Sequence, residues 1–259
     1  MRVLAVLEKE FLEFVKNRML LYGTLPLPLI FVAIPLAFVH FAGDQPVKAE
    51  EAEMYYRLSP ALAGMEASAV LQIMVVGQMM MLLLILPVII PMTIAAYSII
   101  GEKQARTLEP LLATPIRTWE LLLGKSLAAT LPAVALTWIA YAILVVGMAI
   151  IAKPVVFAAV VSGMWILAIL IIAPLLAILA VNLGVLISSK VNDTRVAQQI
   201  GGLLVLPFVG LGIAQTAGRV LYDLPMFMVG ATVVAAADVA ILAVATKLFQ
   251  RETILTRWR

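Results

Sequence analysis

Six apolar stretches, separated by short polar segments, constrain the fold of this chain more than any other feature of its sequence. A helix needs about 20 apolar residues to cross the roughly 30 Å hydrocarbon core of a bilayer, whereas barrel strands form alternating segments of about ten residues. The stretches therefore predict an all-α integral membrane protein with six transmembrane helices, in one domain over residues 1–259. The predicted spans lie at about 19–41, 70–100, 126–151, 155–187, 200–214 and 226–247.

The composition agrees with lipid as the main solvent of the chain. Hydrophobic residues make up 64% of the 259 residues and charged residues only 13%, whereas soluble domains average about 45–50% apolar and about 25% charged residues. Cysteine is absent and His40 is the single histidine, which excludes disulfides, thiolate sites and multi-histidine metal sites. We therefore expect no metal in this chain.

Lysine and arginine are distributed unevenly between the two sides that six spans define. If the N-terminus lies inside, the segments on that side hold 14 of the 18 basic residues, and the other side holds Lys48, Arg57, Lys153 and Arg219. Basic residues favour cytoplasmic loops. The sequence thus predicts a multi-pass protein of the cell's inner (plasma) membrane with both termini in the cytoplasm, and the net charge of +3 reflects this orientation rather than binding of nucleic acid.

Residues 1–18 are predicted to form an amphipathic helix that lies along the membrane surface. Its apolar residues recur at three- and four-residue spacing, with charged residues between them. The alternative is a helix that simply begins the first span. The apolar positions are Leu4, Leu7, Phe11, Phe14 and Val15.

Proline and glycine predict irregularities within the spans. Pro87 and Pro91 are expected to kink the second span, because proline removes a helical hydrogen bond. The fifth stretch is rich in glycine and contains Pro207, which indicates a short or broken helix. The segment before it, 188–199, is predicted to be a polar loop.

The charged segment 101–125, between the second and third spans, carries the most distinctive pattern. Thr107 can cap a short helix, with Pro110 in its first turn, where amide groups lack partners in any case. Pro115 disfavours helical geometry at the preceding residue and ends that helix. A second helix, capped by Thr118, continues into the third span. The short helix has an apolar face that needs a cover, either the membrane surface or a partner protein; this face comprises Leu108, Leu111 and Leu112.

Part of this segment has the pattern Glu102, Thr107-Leu108-Glu109, Leu111-Leu112, Thr114-Pro115-Ile116 and Gly124-Lys125. The pattern resembles the loop between the second and third spans in ABC transporter permeases of the type-2 exporter family. A Glu8-Lys9-Glu10 cluster in the N-terminal helix, six spans and a glycine-rich fifth span extend the resemblance. The resemblance implies that 101–125 contains a coupling helix that docks on a separate ATP-binding subunit, with 1–18 as a connecting helix beside it. The residues implied in that contact are Glu102, Thr107, Leu108, Glu109, Leu111, Leu112 and Pro115.

The resemblance further implies that ATP is bound elsewhere. The sequence contains no G-x-x-x-x-G-K-S/T phosphate-binding loop; Gly124-Lys125-Ser126 ends like one, but Trp119 stands where its first glycine would be. We therefore expect no cofactor and no enzymatic activity in this chain, with ATP and Mg²⁺ bound by the partner. The working unit would comprise two permease subunits, identical or different, and two copies of the ATPase subunit.

Asp238, near the middle of the sixth span, supports a second functional hypothesis. A carboxylate at that depth costs about 2.5–3.5 kcal/mol on insertion scales, so a functional role is the first expectation. Asp238 could line a substrate path, pair with a polar group such as Asn182, or be a structural residue at a subunit contact. If it carries protons, the chain is instead a proton-coupled secondary transporter, although the paired half-repeats of such folds are missing. An intramembrane enzyme is disfavoured, because the sequence has no H-E-x-x-H motif and no nucleophile near a histidine.

Overall fold

The computed structural model describes residues 2–42, 53, 56, 62, 64–104, 118–217, 219–220 and 222–248. These residues form helices and turns and include no β-strand. Six helical segments are long and apolar enough to cross a membrane, which confirms the predicted all-α membrane fold with six spans. The α-helices are α1 (Arg2–Lys16), α2 (Arg18–Thr24), α3 (Pro26–Ala42), α4 (Ala67–Leu83), α5 (Leu86–Gln104), α6 (Thr118–Ile151), α7 (Pro154–Val160), α8 (Gly163–Leu167), α9 (Ala173–Lys190), α10 (Thr194–Gly202), α11 (Leu206–Thr216) and α12 (Leu224–Leu248).

These helices combine into spans that alternate in direction. The end of α5, the beginning of α6 and the turn between α9 and α10 therefore meet at one end of the bundle, which we call the proximal end. The sequence predicts that this end is cytoplasmic. We call the opposite end the distal end. The spans are Leu20–Phe41, Ala67–Gln104, Leu123–Ile151, Pro154–Ser188, Thr194–Thr216 and Leu224–Ala243.

The second span is interrupted near its middle, between α4 and α5. The amides of Leu84 and Ile85 bond to carbonyls three residues earlier, at 3.2 and 3.0 Å, in place of the regular four-residue helical bonds. Pro87 is the second residue of α5, so its missing amide falls where a helix has unpaired amides in any case. Pro91 lies inside α5 without a break. Of the two predicted kinks, only the one at Pro87 accompanies an interruption.

The fourth span is also irregular. Val161 and Ser162 separate α7 from α8, and a π-helical turn at Ala168–Ile172 joins α8 to α9. Pro174 is the second residue of α9 and lies two residues after the end of the π-helical turn. The wider turn fits a proline here, since proline has no amide to donate to the carbonyl four residues earlier.

The fifth span begins earlier than the sequence indicates. Its first helix, α10, starts at Thr194, six residues before the predicted start at residue 200, because Asp193 Oδ1 accepts a hydrogen bond from the Arg195 amide at 2.7 Å and caps the helix. The predicted polar loop 188–199 is therefore wrong, and the described turn covers only 191–193. A 3₁₀ segment, Leu203–Val205, precedes Pro207 and breaks the span as its glycines and proline predict.

The second and fourth spans form the centre of the subunit. In the most apolar part of each, 67% and 56% of the residues are buried, against at most 28% in any other span. Helix α5 packs along α9, and an added Cβ atom at Gly184 would lie only 3.1 Å from the Cβ of Ala95. Glycine thus allows the two helices to approach closely. The outer spans expose large apolar side chains, such as those of Leu206, Ile213 and Val233.

Helix α1 is a separate element that packs against the start of α6. It ends before Asn17, whose side-chain oxygen accepts a hydrogen bond from the Leu20 amide at 3.2 Å and caps α2. Val6 and Phe14 are buried, whereas three of the predicted apolar positions, Leu4, Phe11 and Val15, are exposed. Contact with the membrane surface through that exposed stripe stays a prediction.

Candidate functional site at the proximal end

A buried group of charged side chains joins three helices at the proximal end. Lys9 and Glu10 belong to α1, Ser98 and Glu102 lie one turn apart on α5, and Lys125 lies near the beginning of α6. We call these five residues the charge cluster. Helices α5 and α6 flank the segment 105–117, which lies outside the described residues. Glu102 and Lys125 of the charge cluster therefore lie near the two ends of the charged segment 101–125 that the sequence singles out.

Ion pairs hold the charge cluster together. The ammonium of Lys125 lies 2.7 Å from Glu10 Oε1 and 2.9 Å from Glu102 Oε2. The ammonium of Lys9 lies 2.8 Å from the other oxygen of the same carboxylate, Glu102 Oε1. Each of the two lysines thus links α1 to the α5–α6 pair, and Glu102 is ion-paired with both of them.

Ser98 completes the arrangement. Its hydroxyl donates to Glu10 Oε2 at 2.7 Å and accepts from the Lys125 ammonium at 2.7 Å. A lysine ammonium has three hydrogens to donate. Lys125 donates two of them, to Glu10 Oε1 and to the Ser98 hydroxyl, and the same ammonium is also ion-paired with Glu102.

Burial makes this pairing necessary. Glu10, Glu102 and Lys125 are only 6%, 8% and 7% exposed. A charge that is removed from water is tolerated where opposite charges and hydrogen bonds surround it, and removal of one partner leaves an uncompensated charge. With Lys9 included, the charge cluster has two carboxylates and two ammonium groups and no net charge.

The pKa values of the two α1 residues are shifted in opposite directions for the same reason. Burial disfavours the charged form of Glu10, but the attraction of Lys125 and the hydrogen bonds from Lys125 and Ser98 outweigh it and lower the pKa of Glu10. Burial also disfavours the charged form of Lys9, but the hydrogen bond to Glu102 and the attraction of nearby carboxylates raise the pKa of Lys9 above its ordinary value. Both shifts keep the pair charged over a wide pH range.

The structure places the sequence-predicted coupling residues in two groups. Glu102 lies in the charge cluster, where it is buried and ion-paired within the subunit. The other predicted positions lie outside the described residues: Thr107, Leu108, Glu109, Leu111, Leu112 and Pro115. On the near side of that segment, the Gln104 side chain donates to the Asn192 carbonyl at 3.1 Å and connects α5 to the turn before α10.

Sequence reasoning does not identify Glu10, Ser98 and Lys125 as a connected site. Glu10 appears there only as part of an acidic and basic cluster, and Lys125 only as the last residue of a pattern. A usable signal is present in α1, because Val6, Glu10 and Phe14 recur every four residues and share one helix face. An acidic residue between two apolar residues on a packed face indicates a buried charge that needs a partner.

Asp238 is buried in α12 but has no connection to the polar group that the sequence suggests. Neither of its carboxylate oxygens has a hydrogen-bond partner in the part of the chain that the structure describes. Of the alternatives that the sequence leaves open for Asp238, a hydrogen bond to Asn182 is absent from the described residues, and a place on a substrate path or at a subunit contact stays a prediction. Within the same described residues, no group of three or more His, Cys, Asp or Glu side chains is placed to hold a metal ion.

Comparison with known proteins identifies the family. A search of curated proteins finds no significant match. The sequence profile of the family described as "ABC-2 family transporter protein" matches residues 4–251. That range includes α1 from its third residue onward, all six spans and the charged segment. Because the match extends over almost the whole chain, the chain belongs to the ABC-2 family of transporter proteins.

Proposed function

We propose that this chain is the permease subunit of an ABC exporter, in which two such subunits form the substrate path. Two copies of a separate ATPase subunit, which bind ATP and Mg²⁺, would drive it. Membership in the ABC-2 family supports a membrane subunit of an ABC transporter. Coupling to the ATPase is inferred from the charge cluster, because its ion pairs connect α1 to both helices that flank 105–117.

The proposed mechanism follows from these connections. When the ATPase subunits close on ATP, they displace the segment 105–117, and the charge cluster makes α1, α5 and the start of α6 move together. Helix α5 lies along the central α9, so this motion reaches the core of the subunit. The interruption at Leu84 and Ile85 lets α5 tilt without carrying α4 with it.

In this proposal Glu102 is a positioning residue rather than a docking residue. Its side chain is directed at Lys9 and Lys125 within the subunit. The docking surface is assigned to the predicted apolar face of Leu108, Leu111 and Leu112. The lipid bilayer and the second permease subunit would cover the exposed apolar surfaces of the outer spans.

The first test is recovery of the tagged chain from native membranes in mild detergent, followed by mass spectrometry. We expect an ATPase with a phosphate-binding loop at about one copy per permease. Leu111→Asp should abolish its recovery without changing the melting temperature of the permease. Arg195→Ala, which removes an exposed charge at the same end of the bundle, should leave the recovery unchanged. A permease that is recovered without any ATPase would contradict the proposal.

Asp238 supports a second candidate function, that of a proton-coupled secondary transporter. The observation that favours it is the burial of a carboxylate with no hydrogen-bond partner among the described residues. Transport by the purified chain in proteoliposomes separates the candidates. Uptake that follows a pH gradient without ATP, and that Asp238→Asn abolishes, would favour the secondary transporter. Transport that needs ATP and the partner subunit would exclude it.

A further inference from the structure

A cavity of about 150 Å³ lies at the distal end, between the second, fourth and fifth spans. We call it the distal cavity. Helices α4, α7 and α8 form most of its wall. The remaining lining residues are Leu62, Gln215 of α11 and Tyr222, just before α12. The wall is mostly apolar and includes the thioethers of Met74, Met80 and Met164. The residues that line the distal cavity thus come from a single subunit.

Two polar groups line this apolar space. Gln215 is 4% exposed and Tyr222 is 9% exposed. Neither Gln215 Oε1 nor the Tyr222 hydroxyl has a hydrogen-bond partner within the described ranges. The amide nitrogen of Gln215 has only a weak contact, with the sulfur of Met74 at 3.8 Å. Buried polar groups in proteins are almost always hydrogen-bonded, so the distal cavity offers an acceptor and a hydroxyl to a bound molecule.

Aromatic rings hold one wall of the distal cavity in place. Trp165 meets Tyr222 edge to face with ring centroids 6.0 Å apart, and meets Phe227 in the same way at 5.2 Å. Trp165 is fully buried. Such edge-to-face contacts fix ring orientation. Methionine sulfurs also make favourable contacts with aromatic rings. The rings and the methionines that line the distal cavity therefore favour an aromatic ligand.

Gly77 keeps the distal cavity open. An added Cβ atom at this position would lie 3.6 Å from Gln215 Nε2, 3.8 Å from Trp165 Cζ2 and 3.9 Å from Tyr222 Cδ2. These are ordinary van der Waals distances, so a methyl group fits without displacement of a neighbour. A larger side chain at residue 77 would extend between the three groups and occupy the space itself.

We propose that the distal cavity binds a small neutral aromatic alcohol of phenol size, with its ring beside Trp165 and its hydroxyl donating to Gln215 Oε1. An apolar cavity of similar volume in a soluble protein binds benzene, so one ring fits. The described residues of the lining include no Asp, Glu, Lys, Arg or His, so none of them is a counter-ion for a charged ligand. Burial raises the pKa of Tyr222 to about 12, and its hydroxyl therefore stays neutral. The site goes beyond the proposed function, because it needs neither an ATPase nor a second permease.

The test measures binding of 4-bromophenol, whose bromine quenches tryptophan fluorescence, to the full chain in lipid nanodiscs. One version keeps only Trp165, through replacement of the other three tryptophans by phenylalanine. The second version keeps only Trp138, which lies on the surface of the third span and is partly exposed. We expect saturable quenching of Trp165. Quenching of Trp138 should rise linearly with concentration, because it reports partition into the lipid.

Variants of the Trp165 version assign the signal to the distal cavity. Gly77→Leu should abolish saturation, whereas Gly210→Leu, at a position where an added Cβ atom meets nothing within 4 Å, should retain it. Gln215→Leu should weaken binding about 3- to 10-fold through loss of one hydrogen bond. Bromobenzene, which has no hydroxyl, should bind the unaltered chain and Gln215→Leu equally.

Two outcomes would overturn the proposal. The first is linear quenching of both tryptophans, which leaves the distal cavity as a place for water only. The second is saturable quenching that neither Gly77→Leu nor Gln215→Leu changes, which puts the ligand elsewhere. If Gly77→Leu does not fold, Gln215→Leu decides, because it should weaken the binding of 4-bromophenol and leave that of bromobenzene unchanged. None of these results depends on recovery of an ATPase, so failure here is distinct from failure of the proposed function.

Discussion

Buried polar groups lie beside both ends of the second span, but their hydrogen-bonding and ionic partners differ. At the proximal end, the carboxylates of Glu10 and Glu102 are both ion-paired with Lys125. At the distal end, Gln215 and Tyr222 are buried to a similar extent, but Gln215 Oε1 and the Tyr222 hydroxyl have no partner among the described residues. An unpaired buried charge is far more unfavourable than an unpaired amide or hydroxyl, which costs about 1–3 kcal/mol. Only the neutral end can therefore leave hydrogen-bonding groups open to a ligand.

The interruption of the second span separates these two ends. Leu84 and Ile85 divide α5, which carries Ser98 and Glu102, from α4, which carries Gly77. Pairing fixes α5 to α1 and α6, so the proximal half moves as one body with its neighbours. Helix α4, the distal half, lines the distal cavity. The comparison predicts that changes at the proximal end affect stability and coupling, whereas changes at the distal end affect binding.

The largest effect is expected from removal of the central lysine. Lys125→Met leaves two buried carboxylates, Glu10 and Glu102, without their common partner. Loss of one member of a buried ion pair destabilises proteins by about 3–5 kcal/mol. We expect a comparable fall in the free energy of unfolding of the permease, measured by denaturant titration in detergent.

Lys9→Met is the matched control, because the Lys9 side chain is 44% exposed and water can replace part of its pairing. Its effect should be clearly smaller than that of Lys125→Met. The double variant Glu10→Gln with Lys125→Met should be more stable than Lys125→Met alone, since it removes one of the two uncompensated charges. Equal effects of the two lysine variants would contradict the idea that burial decides the difference.

A smaller effect is expected from crowding between α1 and α6. An added Cβ atom at Gly124 would lie 2.7 Å from Val6 Cγ1 and 3.2 Å from the Val3 carbonyl oxygen. Gly124→Ala should therefore push α1 away and reduce stability by about 1–3 kcal/mol, as overpacking commonly does. Thermal unfolding and the distance between spin labels on α1 and α6 measure the two consequences.

Gly101→Ala gives the opposite expectation at the same end of the bundle. An added Cβ atom there meets nothing within 4 Å, and alanine is favoured over glycine in a helix by about 0.5–1 kcal/mol. Gly101→Ala should raise the melting temperature slightly while Gly124→Ala lowers it. If both variants shift it in the same direction, α1 does not pack as closely on α6 as the structure indicates.

Much of the fold follows from the sequence, because the bilayer imposes a length on each apolar helix. Six spans are predicted and six are present. The start of the fifth span is missed because Arg195 and its polar neighbours mask a helix that Asp193 caps. The polar first turn of a membrane helix has the same composition as a polar loop. A capping residue such as Asp193 separates the two only when the position of the helix is already known.

The charge cluster is harder to predict because its members are far apart in the chain. Glu10 and Lys125 are separated by 115 positions, and nothing local in the sequence pairs them. Glu102 is recognised from a family pattern, but its burial depends on where α1 packs on α6. Local rules thus identify the helices and their caps, whereas the partners of a buried charge depend on packing between helices.

The pH dependence of stability tests the charge cluster with a smaller perturbation than a mutation. The pKa of Glu10 lies below its ordinary value of 4.5, so the stabilisation from its charged form is present above pH 4.5. It is lost as the pH falls through the lower pKa of the folded state. The melting temperature should therefore fall below about pH 4.5, and part of that fall should be absent in Glu10→Gln. Identical acid profiles for the two proteins would show that Glu10 does not contribute.

The smallest effect is expected at an exposed pair of the same chemistry at the distal end. Lys153 Nζ lies 2.9 Å from Glu66 Oε2, the same distance as between Lys125 and Glu102. The side chains of Lys153 and Glu66 are 35% and 65% exposed, so water already solvates both charges. Glu66→Gln should leave the melting temperature unchanged within error in 0.15 M salt, because ion pairs in water contribute little and are screened. The matched variant Glu102→Gln, which alters a buried pair of equal length, should lower it clearly. If Glu66→Gln lowers the melting temperature as much as Glu102→Gln does, burial does not decide how much each pair stabilises the subunit. The distance between the two charges would then be the deciding quantity.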